Sequence, residues 1–163
     1  MGLSITFTGL TELQKKIDDY AKTFPQKVET FLERLMEAGI PVVDTNMMTA
    51  MGDSSPTHTT WVEVQNNGET ITATLWVSGE DLAFIEFGAG IFYNHEEHPK
   101  ASEFGVGIGT YGKGQGLNYG WYYYDDAGEK KFSRGTEMTM PVFKAGQEML
   151  NRFDEIVRES FEF

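Results

Sequence analysis

The chain has 163 residues, enough for one domain around one hydrophobic core, and its 40 % hydrophobic and 13 % aromatic content excludes a disordered chain. It has no cysteine, which excludes disulfides, zinc–thiolate sites and a cysteine nucleophile. A net charge of −12 makes it a poor non-specific ligand for nucleic-acid phosphates.

In chain order, Ser4 to Thr8 alternate as a short strand that Gly9 ends. Met1-Gly2-Leu3-Ser4-Ile5-Thr6 lacks the basic-then-apolar layout of a signal peptide. It matches a loose myristoylation pattern, but it reads better as that strand. Thr11-Glu12-Leu13-Gln14 fits a capping box and predicts a helix that buries Leu13, Ile17 and Tyr20. Thr23-Phe24-Pro25-Gln26 predicts a second helix start, with proline in the first turn where no donor is lost. Val28, Phe31, Leu32, Leu35 and Met36 recur at helical spacing, and Ile40, Val43 and Met47 continue the stripe. Gly39-Ile40-Pro41 predicts a kink within it. A loop over 51–60 follows.

Trp61–Gln65 and Thr70–Ser78 flank Asn66-Asn67-Gly68-Glu69, a strong hairpin signal. Ile71, Ala73, Leu75 and Val77 are assigned to the core face of the second strand; Thr70, Thr72, Thr74 and Trp76 face away. Leu82–Phe87 is apolar and fits either a strand or a short helix. The stretch 88–120 holds nine of the 18 glycines and reads as one long loop. Trp121–Tyr124 and Lys130–Ser133 are strands about the turn Asp125-Asp126-Ala127-Gly128. A final helix starts near Thr139, with Pro141 in its first turn and an apolar face of Val142, Phe143, Met149, Leu150, Phe153, Ile156, Val157 and Phe161. These elements predict a single α+β domain over 1–163: a mainly antiparallel sheet packed by a long N-terminal helix and a C-terminal helix.

No stretch carries a convincing catalytic constellation. Gly107-Ile108-Gly109-Thr110-Tyr111-Gly112 matches a dinucleotide fingerprint, and Gly107 to Lys113 matches most of a P-loop. Both need a helix N-terminus to receive phosphate, and here the glycines run on through Gly114 and Gly116 into an aromatic strand. His95-Glu96-Glu97-His98 is the best metal candidate, but its i, i+3 spacing and the following Pro99 disfavour a zinc helix, and a solvated polar loop is the plainer reading. His58 could in principle close such a site. The expectation is no catalytic residue, no cofactor and no metal ligand, with neither His95 nor His98 doing chemistry. Phe92, Tyr93, Phe104 and Tyr111 sit in a stretch too glycine-rich to fold alone, yet they want burial. They are therefore the predicted interface residues.

One ordered set of motifs is more specific. Gly9-Leu10-x-x-Leu13 is followed by Leu82-Ala83-Phe84-Ile85-Glu86-Phe87-Gly88-Ala89-Gly90, then by Gly107–Gly112 leading to Gly120-Trp121-Tyr122-Tyr123. Arg134-Gly135-Thr136 and Met140-Pro141-Val142-Phe143-Lys144-Ala145 complete it. This order resembles the tail-completion, or head–tail joining, family of long-tailed phages. There an alanine–x–x–glutamate–phenylalanine–glycine stretch precedes a variable loop, and a proline-containing start opens the final helix. Met51-Gly52-Asp53-Ser54 stands where that family often has Thr-Gly-x-Leu.

The resemblance implies a virion structural protein without enzymatic activity or cofactor. It implies a homo-oligomeric ring at the top of the tail, with six copies the candidate number, contacting other neck and tail proteins and letting genomic DNA pass. It further implies assembly in the bacterial host cytoplasm and no membrane partner. A minor head-completion or tail-terminator role is the near alternative; a metal-dependent hydrolase using His95 and His98 is the distant one.

Overall fold

The computed structural model describes residues 10–50, 57–79, 81–90, 98–105, 119–125 and 127–161. Helix α1 runs Leu10–Glu37 and α2 runs Ile40–Ala50; strands β1 (His58–Asn66) and β2 (Ile71–Gly79) follow, then helix α3 (Leu82–Phe87). Strands β3 (Trp121–Tyr124) and β4 (Lys130–Ser133) precede helix α4 (Pro141–Phe161). The fold is α+β, with a long N-terminal helix, a C-terminal helix and antiparallel strands. The described strands form two separate two-stranded sheets, β1–β2 and β3–β4.

The hairpin follows its sequence pattern. Its turn is held by its own asparagines: Asn66 Oδ1 accepts from the Gly68 amide, and Asn67 Oδ1 accepts from those of Glu69 and Thr70. Burial alternates strictly along β2, with Ile71, Ala73, Leu75 and Val77 turned inward. On the outer face Trp61 stacks on its cross-strand partner Trp76 at 5.9 Å, and the Trp76 indole donates to Glu63 at 2.9 Å.

The first helix differs from expectation in two ways. It is continuous through Pro25 instead of restarting at Thr23. An interior proline loses one hydrogen bond and crowds the carbonyl four residues back, and this turn is held by other contacts. The Thr23 hydroxyl donates to the carbonyls of Asp19 and Tyr20, the Tyr20 and Phe24 rings lie 5.8 Å apart, and Phe24 meets Phe161 of α4 at 5.7 Å. Second, residues 11–26 are exposed throughout, so Leu13, Ile17 and Tyr20 are not buried as predicted. The core-facing stripe begins only beyond them.

Between α1 and α2 the chain breaks at Ala38-Gly39 instead of kinking. Gly39 allows a close approach: a Cβ there would displace the flexible end of Met149 and crowd Leu75. That close approach joins two core clusters. Phe31, Leu35, Ala38 and Ile156 form one; Val43, Met47, Ile85 and Ala145 form the other; Met149 touches both. Helix α4 keeps Ala145 and Ile156 in the core, but Val142, Leu150 and Phe153, predicted on the same face, are exposed. Among the described residues no helix is long and apolar enough to cross a membrane.

Candidate functional site: a buried carboxylate node beneath an apolar pocket

Helix α3 is six residues long and presents Glu86 to the interior between Ile85 and Phe87. Glu86 is only 6 % exposed, and a buried carboxylate requires donors. It has three. The amides of Val142 and Phe143, in the first turn of α4, donate to it at 2.7 and 2.9 Å, and His98 Nε2 lies 2.9 Å from Oε1. The charge sits at the positive end of α4 and satisfies two amides that have no partner within that helix. Thr139, the predicted start, serves a different purpose. Its amide donates to the Ile85 carbonyl and its hydroxyl to the Asn46 carbonyl, tying α4 to α3 and α2. Met140, between Thr139 and Pro141, holds a φ of 56°, a left-handed conformation that costs a non-glycine residue roughly 1–2 kcal/mol.

His98 is 5 % exposed, with its ring between Phe87 at 4.6 Å and Phe143 at 5.3 Å. Pro99 follows as the second residue of a turn closed by the Ala101 amide on the His98 carbonyl. In that turn the Lys100 amide donates to His98 Nδ1 at 3.0 Å. Because Nδ1 accepts, Nε2 carries the ring proton and donates it to Glu86. Both ring nitrogens are engaged, and as held here His98 has no lone pair to offer a metal or a substrate proton. The sequence pairs His98 with His95; the fold pairs it with Glu86. His95 lies outside the described residues. His58 is elsewhere, on β1, 2.9 Å from Asp44 of α2. Among the described residues no group of three or more metal-ligating side chains gathers.

The same node collects distant segments. Ala89 and Thr136 exchange backbone hydrogen bonds at 2.9 and 3.1 Å. Gly90 and Gly135 cross so closely that a Cβ on either would collide with the other strand's backbone, and both have positive φ. Above Glu86 opens a pocket of about 430 Å³ whose walls include Leu82, Ala83, Phe87, Phe104, Val142 and Phe143. Lys100 and Glu103, ion-paired at 2.5 Å, also line it. Phe104, one of the four predicted interface residues, is 66 % exposed here, with its ring 5.7 Å from Phe87. Phe92, Tyr93 and Tyr111 lie outside the described residues. Sequence reasoning missed Glu86 as the organising group. The available signal was a carboxylate inside the apolar run Phe84-Ile85-Glu86-Phe87, upstream of a helix whose first residue, Pro141, follows Met140, which has no side-chain acceptor for the first amides.

Comparison with protein-family models, with curated proteins and with solved structures gave no match.

Proposed function

We propose that this chain is a structural component of a long-tailed phage particle: a tail-completion protein that forms a ring at the top of the tail, joins it to the head and lets DNA pass. One observation carries this reading. Leu82–Gly90, Arg134–Thr136 and Met140–Ala145, which carry the family resemblance, are far apart in sequence and converge on the Glu86 node through hydrogen bonds and close backbone contacts. A motif set whose members hold one another in place is a scaffold signature.

Two further features agree. His98 and Glu86 use their polar atoms on each other and on backbone amides, which argues for architecture over catalysis. A charge of −12 suits a conduit that DNA must traverse without adhering. On this reading the protein resides in the virion neck after assembly in the host cytoplasm, beside other neck and tail proteins.

The test is to delete the gene from its phage or prophage and image the lysate. Joining requires DNA-filled heads and separate tails, with few intact particles. Tails of irregular length would assign the terminator role instead, and unstable heads a head-completion role. Normal intact virions would reject all three. A His95→Ala variant is expected to restore infectivity, since that residue is assigned no chemistry.

A further inference from the structure

Residues 11–26 of α1 form about 24 Å of helix with every residue exposed. An isolated helix of this length is marginal in water, and it is stabilised by covering an apolar face. That face exists: Leu13, Ile17, Tyr20 and Phe24 are spaced by four, three and four, the pattern of a helix–helix seam. Among the described residues the seam is covered only at its inner end. Helices α1 and α4 run antiparallel, with Phe24 on Phe161, Phe31 on Phe153, and Gly39 against Ala145 and Met149. Residues 11–23 therefore extend past the last turn of α4.

Helix α4 carries a second uncovered stripe near its other end. Val142, Gly146, Leu150 and Phe153 are spaced by four, four and three; Leu150 is 76 % exposed, and Phe153, which meets Phe31 on one side, leaves its outer edge open. Gly146 leaves a notch, since nothing lies within 4 Å of where its Cβ would stand. Both stripes are about 16 Å long at the rise of an α-helix. They lie at opposite ends of the α1–α4 pair, so one copy cannot satisfy both by itself. Segment 11–26 is also electrically neutral, with Lys15, Lys16 and Lys22 balancing Glu12, Asp18 and Asp19. The entire net charge of −12 lies outside it, so the segment itself adds no repulsion where it meets an acidic second copy.

We infer that the projecting half of α1 docks on the Val142–Phe153 stripe of the next copy, head to tail. This rests on the ring reading and names the contact that would close the ring: a heterologous interface propagates around a ring, whereas a two-fold α1–α1 contact stops at a dimer.

The chain has no native cysteine, so introduced thiols report cleanly. Full-length Ile17→Cys and Gly146→Cys proteins, mixed and treated with a short bis-maleimide, are expected to link in the mixture and not in either protein alone. Linkage of Ile17→Cys to itself would overturn the inference in favour of a two-fold contact. Ile17→Asp, at an exposed position, should weaken self-association by about tenfold or more in sedimentation, while matching the wild-type circular dichroism at dilutions where both proteins are monomeric. An Ile17→Asp protein that still forms the wild-type oligomer would sink the α1 contact and leave the ring standing on another surface. A wild-type chain that stays monomeric at every concentration would overturn the inference. If gene deletion also left intact virions, the ring reading would fall with it.

Discussion

Glu86 accepts from three donors contributed by two other parts of the chain, and none of them is near it in sequence. Removing it would strand two helix-start amides and the His98 donor in a buried place. Glu86→Ala is expected to lower unfolding stability by about 2–4 kcal/mol, combining a lost cap with unsatisfied buried donors. Urea denaturation with an unchanged slope would read this; a loss below half a unit would show that the node is not structural. Glu86→Gln should recover only part of the loss, because its amide NH₂ would point a donor at another donor. His98 follows the same logic. The sequence assigns it no chemistry, whereas its place between Phe87 and Phe143 makes it part of the core.

The β3–β4 hairpin has a titratable turn. Asp125 accepts from Lys131 Nζ at 2.7 Å and from the amides of Glu129 and Ala127. The Lys131 hydrogen bond first, then the Glu129 amide, hold the Asp125 carboxyl below its ordinary range, and Asp125 in turn raises Lys131. A carboxylate depressed by folding stabilises the folded form above its unfolded pKa and loses that contribution as pH falls through the folded value. The turn is therefore expected to persist at neutral pH and loosen only in acid, below the ordinary aspartate range. A carboxyl-carbon titration by NMR should place the Asp125 midpoint below that of an unpaired aspartate, and Lys131→Ala should move it back up. A midpoint at the ordinary value would contradict the geometry. Glu63 on β1 is lowered in the same sense by Gln65 and then by the Trp76 indole.

At the scale of the molecule, apolar surface and charge oppose each other. Among the described residues seventeen large hydrophobic side chains are exposed against ten hydrophobic residues in the core, and on the ring reading proposed above neighbouring copies cover part of that surface. Each copy also carries −12, so copies repel at long range. Apolar docking between like-charged subunits should strengthen as salt shortens the screening length from about 30 Å at 0.01 M to about 8 Å at 0.15 M. Sedimentation across that range is expected to show a rising oligomer fraction. A falling fraction would mean that ion pairs, and not the helical stripes, hold copies together.

Local chemistry determined much of this protein from the sequence alone. The Asn66–Glu69 turn and the alternation of β2 specify the first hairpin and its inner face, because turn type and period two are set by neighbours in sequence. The strands about Asp125 and the start of α4 at Pro141 follow for the same reason. Only the tertiary structure decided the rest. Pro25 stays inside a helix because Phe24 finds Phe161 across the α1–α4 contact. The first half of α1 has an apolar face similar in pattern to a buried one, and it is exposed because, among the described residues, the α1–α4 contact begins only at Phe24 and Phe161. His98 turns from a candidate ligand into a committed donor because the fold places Glu86 within 2.9 Å. Periodicity states which face of an element is apolar; what covers that face depends on contacts between residues that lie far apart along the chain.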